Sequence, residues 1–239
     1  MVTRKKTFMA SGIIFLVLVF FSSNAFPWGS ATHAYIDDRL GKKEWLKNMN
    51  EIYGGMAPDL FNYMFDSPHI QDLYAATHSK FMKVWIAAKL NTGKALAYGF
   101  VSHNDMWGAD FTAHHKSRTL DPNEGYVITK AKVLEQMLYD TFKSLGLGGD
   151  EYYDLRIELC HNLVETGVDI LMKRMHPMIG QEIIASTIVR SPEFPILLVK
   201  AYAADFSAYF GGYLKAARLI TSAEREFRKT MILYGQALT

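Results

Sequence analysis

Apolar positions recur along most of this chain at intervals of three and four residues, the spacing of α-helices that bury one face. Alternating apolar and polar positions, which indicate strands, are scarce, and the hairpin dipeptides Asn-Gly and Asp-Gly do not occur. The pattern therefore predicts an all-α protein. Helices are expected near residues 30–50, 72–91, 93–116, 126–145, 150–175, 178–190 and 194–236, the last with a break at Gly211-Gly212.

Short stretches rich in glycine and proline separate these helices. They are Gly54-Gly55, Pro58, Pro68, LDPNEG at 120–125, GLGGD at 146–150, Pro177 and SPEFP at 191–195. None is long enough to separate two folding units, and the chain of 239 residues, 49% of them hydrophobic, is large enough to bury one sizeable core. We therefore expect a single multi-helix bundle domain over residues 26–239.

The first 25 residues have a different pattern. Three basic residues at 4–6 precede the apolar run GIIFLVLVFF at 12–21, and small residues follow at Ser23-Asn24-Ala25. This order is typical of a cleaved secretory signal, and the run is shorter than the roughly 20 residues of a spanning helix. The sequence thus predicts a signal peptide over residues 1–25 and a secreted or periplasmic protein. An uncleaved membrane anchor is the less favoured interpretation.

Charge and cysteine content narrow the function classes. The whole chain has 26 basic and 24 acidic residues; without residues 1–25 it has 23 and 24, because only three basic residues are removed. Net charge therefore does not favour a nucleic-acid partner. Cys160 is the single cysteine, which excludes an intrachain disulfide. An exported chain of this kind depends on its core, on bound metal, or on both.

The segment HNLVETGVD at 161–169 holds the first candidate metal ligands. His161 and Glu165 are four residues apart on a predicted helix, so their side chains lie about 40° apart around the axis and about 6 Å apart along it. One metal ion can bind both, and Asp169, one turn further on, can orient a ligand. A plain hydrogen-bonded His–Glu pair fits the same spacing.

The segment GFVSHNDMWGADFTAHH at 99–115 holds the second group. Asp110 and His114 are four residues apart, and His103 returns to within about 20° of the same face in an ideal helix. Such groups are costly to bury unless they are paired or bound to metal. Further candidates stand on separate segments: His33, Asp59 and His78.

Three spaced motifs together resemble the zinc-dependent phospholipase C family. WGSATHAYI at 28–36 is similar to the processed start of those enzymes, AYGFVSHNDMWGADFTAH at 97–114 to their central helix, and HNLVET at 161–166 to their last ligand pair. The central helix also resembles the N-terminal domain of glycosylphosphatidylinositol-specific phospholipase D. The matching order of candidate ligands is Trp28, His33, Asp59, His78, His103, Asp110, His114, His161 and Glu165.

The resemblance implies a helical bundle with two or three zinc ions in a cleft that hydrolyses phosphodiesters. It implies one zinc on Asp59, His78, His103 and Asp110, a second on His114, His161 and Glu165, and a third on His33, a shared Asp110 and the amino group and carbonyl of Trp28. It also implies that Asp59 orients or deprotonates the attacking water.

The chain departs from the family pattern at two places. The small-residue signal favours cleavage after Ala25, which leaves Phe26-Pro27 ahead of Trp28, so Trp28 is either a ligand or a packed aromatic residue. In the central helix, Trp107 stands where the family has its aspartate. Seven residues of straight helix span about 10.5 Å, so His103 and Asp110 would barely meet at one zinc, whose bonds are about 2.0–2.2 Å long. Either the helix breaks near Gly108, with Asp105 as a substitute ligand, or the metal arrangement differs.

The sequence thus predicts a zinc-dependent, phospholipase C-like phosphodiesterase. Its expected partner is a phospholipid or another phosphodiester, with peripheral contact to a membrane surface and no nucleic acid favoured. One alternative is a different metal-dependent phosphodiesterase, such as a single-strand nuclease, because similar metal sites serve both substrate classes. Another is an exported metal-binding protein without catalytic activity.

Overall fold

A computed structural model of the chain describes residues 28–41, 44–63, 67–117 and 120–239. Within these ranges it contains only helices and connecting loops, which confirms the all-α fold class. The predicted signal peptide, residues 1–25, and Phe26-Pro27 lie outside the described residues. Every described helix is too short or too polar to cross a bilayer.

Eleven α-helices and two short 3₁₀ segments occur in the described ranges. The α-helices are α1 (Ser30–Leu40), α2 (Trp45–Met56), α3 (Ile70–Ser79), α4 (Met82–Ala87), α5 (Asn91–His103), α6 (Ala109–His114), α7 (Tyr126–Ser144), α8 (Tyr153–Met175), α9 (Ile179–Val189), α10 (Phe194–Phe210) and α11 (Tyr213–Ala237). The 3₁₀ segments are Ala57–Tyr63 and Asp150–Tyr152.

The predicted bounds of α7 and α9 agree with the structure to within one residue. The predicted break at Gly211-Gly212 is confirmed: Gly211 ends α10 with φ +68°, a left-handed conformation that glycine adopts without steric cost. Three predicted helices are wrong as single elements, because residues 30–50, 72–91 and 93–116 each form two helices. Apolar spacing continues across these short breaks and so does not reveal them.

Helices α2 and α5 cross at the centre of the bundle with their backbones in direct contact. A Cβ atom at Gly54 would lie 2.1 Å from the Leu96 carbonyl oxygen, and one at Gly99 would lie 1.9 Å from the Glu51 carbonyl oxygen. Helix α2 ends at Met56, one residue after the Gly54-Gly55 pair that was expected to mark a break. The lack of a side chain at Gly54 permits the close crossing with α5, while the space beside Gly55 is filled by the Asp37 side chain of α1.

Two hydrophobic cores flank the candidate ligands. The larger core joins α1, α2 and α5 to α9, α10 and α11. At its centre the Tyr53 ring lies 5.5 Å from Phe194 and 5.8 Å from Phe227, in edge-to-face contacts. The smaller core lies between the paired helices α7 and α8, around Phe142 and Cys160. Helix α8 packs on α1, and this contact joins the two cores. Buried polar residues lie along it.

Candidate metal centre

Eight of the nine predicted ligand residues meet in two adjoining clusters. Site A consists of His33 on α1, Asp59 on the 3₁₀ segment Ala57–Tyr63, His78 on α3, His103 at the end of α5 and Asp110 on α6. Site B consists of His114 on α6 with His161 and Glu165 on α8. Within site A, potential ligand atoms of His33, His103 and Asp110 lie within 4.8 Å of one another, and so do those of Asp59, His78 and His103. The three residues of site B meet the same distance.

A break between α5 and α6 brings Asp110 to site A. The Asn104 side chain accepts hydrogen bonds from the backbone N–H groups of Met106 (2.8 Å) and Trp107 (3.0 Å), which turns the chain. A side chain at Gly108 would lie 2.4 Å from the Ser102 carbonyl oxygen, so the turn requires glycine there. The structure thus has the break near Gly108 that was one of the two alternatives, and Asp110 lies beside His103.

Distances within site A suit ligands that share a metal ion. Asp110 Oδ1 lies 3.1 Å from His33 Nε2, and Asp110 Oδ2 lies 3.0 Å from His103 Nε2 and 3.3 Å from His78 Nε2. Asp59 Oδ1 lies 3.4 Å from His78 Nε2 and 3.7 Å from His103 Nε2. Two ligand atoms on one tetrahedral zinc, each at about 2.0–2.1 Å, are about 3.3 Å apart.

The hydrogen bonds of two site A histidines identify which ring nitrogens face inward. His78 Nδ1 donates to the Tyr74 carbonyl (2.9 Å), and His103 Nδ1 donates to the Gly55 carbonyl (2.6 Å), because a carbonyl oxygen only accepts. In the neutral rings, the two Nε2 lone pairs then face each other at 3.1 Å. Two facing lone pairs repel unless a cation, either a proton or a metal ion, lies between them.

Several atoms that point into the two sites have no hydrogen-bond partner although they are buried. They are both carboxylate oxygens of Asp110, Nε2 of His33 and Oε1 of Glu165. Buried polar atoms in folded proteins are almost always hydrogen-bonded, because desolvation without a partner is costly. One divalent cation at each site would satisfy these atoms, those of Asp110 and His33 at site A and that of Glu165 at site B, so the residues of both sites fit metal ligation.

Site B repeats this arrangement with three ligands. His114 Nε2 and His161 Nε2 face each other at 3.1 Å, and Glu165 Oε1 lies 3.2 Å from His161 Nε2. Side-chain oxygens of Asp105 and Asp110 lie within 4.8 Å of a ring nitrogen of His114, so the two sites adjoin. Asp105 Oδ1 lies 3.6 Å from His114 Nδ1, and Asp105 could share a metal ion with Asp110 and His114 at the junction of the two sites.

Burial and mutual charge shift the pKa values of these groups. Burial lowers the pKa of His33, with a further decrease from His103, and burial lowers the pKa of His161 to about 4. Burial raises the pKa of Glu165 well above its usual value, with added repulsion from Asp110. Although burial opposes it, the surrounding imidazoles hold the pKa of Asp110 well below its usual range. His33 and His161 thus favour the neutral form with a free lone pair, whereas the pKa of His103 is raised because its charge and hydrogen-bond interactions with Asp110 and Asp59 outweigh burial.

His78 makes the stability of metal-stripped protein depend on pH. Burial lowers its pKa, but hydrogen bonds and charges from Asp110 and Asp59 outweigh burial and raise it from 6.5 to about 10. Protonated His78 therefore stabilises the fold fully below about pH 6.5, and this contribution is lost as the pH rises to about 10. We expect the Tm of chelator-treated protein to fall over this interval.

Zinc-loaded protein is the control for this pH series. A metal ion must displace the proton from the same ring nitrogen, so metal binding strengthens as the pH rises. We expect the Tm of the zinc-loaded protein to stay level or increase between pH 6.5 and 8.5. Thermal unfolding followed by circular dichroism measures both series, and an equal fall in the two preparations would contradict this assignment.

Asp169 connects α8 to the helix that carries His33. Its carboxylate accepts hydrogen bonds from the backbone N–H groups of Ala31 (3.0 Å) and Thr32 (2.8 Å) and from the Thr32 hydroxyl (2.6 Å). It therefore binds the amino-terminal end of α1, where a negative charge is favourable. The sequence analysis expected Asp169 to orient a ligand, and the structure places it where it holds the start of that ligand's helix.

Trp28 contacts the helix of Asp110 through its side chain. Its Nε1 donates to the Ala109 carbonyl (3.0 Å) and to the Thr112 hydroxyl (3.2 Å), and its ring lies 5.4 Å from that of Tyr126. These contacts are those of a packed aromatic residue, which was one of the two interpretations of Trp28. None of them involves a residue of site A or site B.

Sequence reasoning missed the groups that orient the ligands. Asn62 Nδ2 donates to Asp59 Oδ1 (3.1 Å), and the Tyr74 ring stacks on His78 with centroids 3.7 Å apart. Tyr74 stands four residues before His78, so helical spacing could have indicated that their side chains are neighbours. The Gly55 carbonyl, in contrast, reaches His103 only through the crossing of α2 and α5.

A third group, Asp38, His176 and Glu182, lies away from both sites and is only half-buried. His176 Nε2 and Glu182 Oε2 form an ion pair at 2.8 Å, and Asn48 donates to Asp38 (2.8 Å). No side-chain atom of this group is among the buried atoms that lack a partner in the described residues. Ordinary hydrogen bonds therefore account for it.

A cleft of about 440 Å³ opens beside site B. Two candidate ligands, His114 and His161, form part of its wall, so a metal ion held at site B would border the space where a small molecule fits. The remaining lining residues are Asn62, Ile70, Gln71, Tyr74, Ile128, Asp154, Ile157 and Glu158.

Comparison of the chain with protein-family models, with curated proteins and with solved structures found no match.

Proposed function

We propose that this protein is an exported, zinc-dependent phosphodiester hydrolase that acts in the manner of a phospholipase C. The observation that carries the proposal is the convergence of His78 Nε2 and His103 Nε2, 3.1 Å apart, on the buried carboxylate of Asp110, whose oxygens lie 3.0 Å, 3.1 Å and 3.3 Å from three imidazole nitrogens. The Nε2 atoms of His114 and His161 likewise lie 3.1 Å apart. Imidazole and carboxylate ligands in this combination suit zinc.

Bound zinc lowers the pKa of water toward 7 and offsets negative charge on a phosphoryl group. The residues of this chain hold the metal and act around it. Site A has five potential ligands, so Asp59, whose Oδ1 lies 3.4 Å from His78 Nε2, is our choice for orienting or deprotonating water. Asn62 fixes the Asp59 carboxylate through its hydrogen bond.

The cleft favours a phospholipid over a polynucleotide. Asp154 and Glu158 line it, and among the described lining residues none is lysine or arginine. Nucleic-acid sites depend on basic residues that contact successive phosphates, so this wall disfavours a single-strand nuclease. Two carboxylates beside isoleucine side chains suit a diester with a positively charged head group and an apolar portion.

The amino-terminal segment supports the same substrate class. Residues 1–25 have the composition of a signal peptide, and an exported protein meets phospholipid head groups in a periplasm or outside the cell. A metal-binding protein without catalytic activity is the remaining alternative. It fits the two metal sites but gives no role to a cleft that includes two of the ligands.

The test is turnover by the purified mature protein. We expect hydrolysis of phosphatidylcholine to phosphocholine and diacylglycerol. Chelator should lower the rate of turnover by at least about 100-fold, because the ligands themselves cannot replace the metal. Adding zinc should restore the rate. A single-stranded oligonucleotide is the parallel substrate. Product analysis by mass spectrometry and zinc content are measured on the same sample.

Each other outcome contradicts the proposal in a distinct way. Turnover of the oligonucleotide alone would identify a nuclease. Zinc bound to the protein without turnover of either substrate would identify a metal-binding protein. Lipid turnover that persists in chelator would separate the activity from sites A and B.

A further inference from the structure

A groove runs along the outer side of the α7–α8 pair. It encloses about 540 Å³ and is separate from the cleft beside site B, with which it shares no lining residue. We call it the α7–α8 groove. Most of its lining is apolar, contributed by Val133, Leu134, Met137, Val164, Val168 and Leu171.

The side chains along this groove are unusually exposed for their type. Met137 is 75% exposed, Val133 and Leu171 are each 50% exposed, and Ile170 is 47% exposed. None of the four belongs to either hydrophobic core. Single exposed apolar residues are ordinary, but four along one groove form a continuous patch, which marks a surface that binds a partner.

The charged residues of the groove are all basic. Lys130 and Arg174 lie at the same end, near the start of α7 and the end of α8, and no carboxylate is among the lining residues that the structure describes. No carboxylate of the described ranges forms an ion pair with either. Lys130 Nζ instead lies 5.8 Å from the centroid of the Tyr126 ring. The groove therefore complements an anionic partner that has an apolar part.

Aromatic residues mark the same end of the groove. Tyr126 lines it, and Trp28 packs against Tyr126 with ring centroids 5.4 Å apart. Tyrosine and tryptophan side chains favour the head-group region of a bilayer, where one end of the ring is apolar and the other is hydrated. An extended acidic peptide fits less well, because beyond Tyr126, Lys130 and Arg174 the lining side chains offer a peptide backbone no hydrogen-bond partner.

We propose that the α7–α8 groove is the surface by which this protein docks on an anionic phospholipid membrane. Val133, Met137 and Leu171 enter the acyl boundary, while Lys130 and Arg174 contact lipid phosphates. Docking in this way requires no hydrolysis, so it is a separate property from the activity proposed above.

Vesicle co-sedimentation of the mature protein tests the proposal. The anionic vesicles contain phosphatidylcholine with about 30 mol % phosphatidylglycerol, which approximates an anionic leaflet. We expect binding to these vesicles to be at least about tenfold stronger than binding to vesicles of pure phosphatidylcholine. The double variant Met137→Glu, Leu171→Glu should weaken binding by more than about tenfold, because it places two charges at the acyl boundary. Lys130→Ala with Arg174→Ala should weaken it by about 30-fold, since each basic residue contributes about fivefold.

Ile188→Glu is the matched control, because Ile188 is 59% exposed on α9 and lies outside the groove. It should bind vesicles as the parent does. Circular dichroism checks that each variant folds, and chromatography of the lipids after sedimentation checks that they are intact. Equal binding by the parent and the Met137–Leu171 variant, or no binding of the parent to either vesicle, would overturn the proposal. Dimerisation of the parent that this variant abolishes would instead make the groove an interface between copies.

Hydrolysis of dihexanoyl-phosphatidylcholine below its micelle concentration distinguishes docking from catalysis. The groove variants should turn over this monomeric substrate at the rate of the parent, since no groove residue lines the cleft. If neither the parent nor the variants hydrolyse it, the proposed hydrolase function fails while the vesicle result still decides the docking surface. A proportional loss of monomer turnover in the groove variants would overturn the assignment of this surface to docking.

Discussion

Replacing Asp110 with asparagine is expected to remove metal from site A and to lower phosphodiester hydrolysis by more than about 100-fold. Asp110 is fully buried, its two oxygens point at three imidazoles, and neither oxygen has a hydrogen-bond partner. Asparagine keeps the volume of the side chain but places an NH₂ group, which does not bind zinc, at one of these positions. Removal of a residue that only orients a ligand already costs about 10–100-fold, so loss of the ligand itself costs more.

The measurement is zinc content by mass spectrometry together with phosphatidylcholine turnover. Asp140→Asn is the matched control, because Asp140 is exposed on α7, and it should keep both the metal and the activity of the parent. Site B does not include Asp110 among its three ligands, so partial zinc occupancy should remain in the Asp110 variant. Full zinc content with normal turnover in that variant would exclude site A as a metal centre.

Replacing Gly99 with alanine is expected to destabilise the protein by about 3 kcal/mol, the upper part of the range for overpacked cores. The added Cβ would lie 1.9 Å from the Glu51 carbonyl oxygen and 2.5 Å from the Gly55 nitrogen. Both are backbone atoms, so α2 and α5 would have to move apart. That movement would also separate the Gly55 carbonyl from His103 and weaken metal binding at site A.

Gly167→Ala is the control for this substitution, because Gly167 also lies inside a helix but has open space around its Cβ position. It should stabilise the protein by about 0.5–1 kcal/mol, the usual difference between alanine and glycine in a helix. Urea unfolding of both variants measures the two free energies. If Gly99→Ala is tolerated as well as Gly167→Ala, the backbones of α2 and α5 are not in the contact described.

Local patterns in the sequence were enough to find most of the helices and the groups that meet at the two sites. The period of the apolar residues reports burial of one helix face, which any packed helix needs. The spacing of His161 and Glu165 placed them on one helix face without any knowledge of the fold. Inward-facing histidines and carboxylates on several segments likewise indicated a shared polar centre, because burying them separately is costly.

The approach of Asp110 to His103 could not be derived from spacing alone. In a straight helix the two residues would be about 10.5 Å apart along the axis, yet their side chains lie 3.0 Å apart. Asn104 and Gly108 indicated that a break was possible. Whether the chain turned there, and toward which neighbour, depended on packing of α6 against α7, a contact between residues distant in sequence.

Gly54 and Gly55 are a second case in which the local sequence does not account for the structure. As isolated residues they favour the end of a helix, since glycine costs helix stability. In the fold α2 continues through both glycines to Met56, because the close contact with α5 leaves room only for glycine at position 54 and the Asp37 side chain of α1 fills the space beside Gly55. Local propensity thus located the helix end to within one residue but gave no reason for glycine at these two positions.

The amino-acid sequence by itself determined the helical class of this protein, the separate character of residues 1–25, and the residue types available for binding metal. These follow from short-range rules of period, composition and ligand chemistry. Only the tertiary structure decided that five ligand residues from five elements meet at site A, that the Nε2 atoms of His78 and His103 face each other, and that an apolar groove with basic residues at one end stays exposed. Each of these depends on contacts between residues far apart in the chain, and no local pattern encodes such contacts.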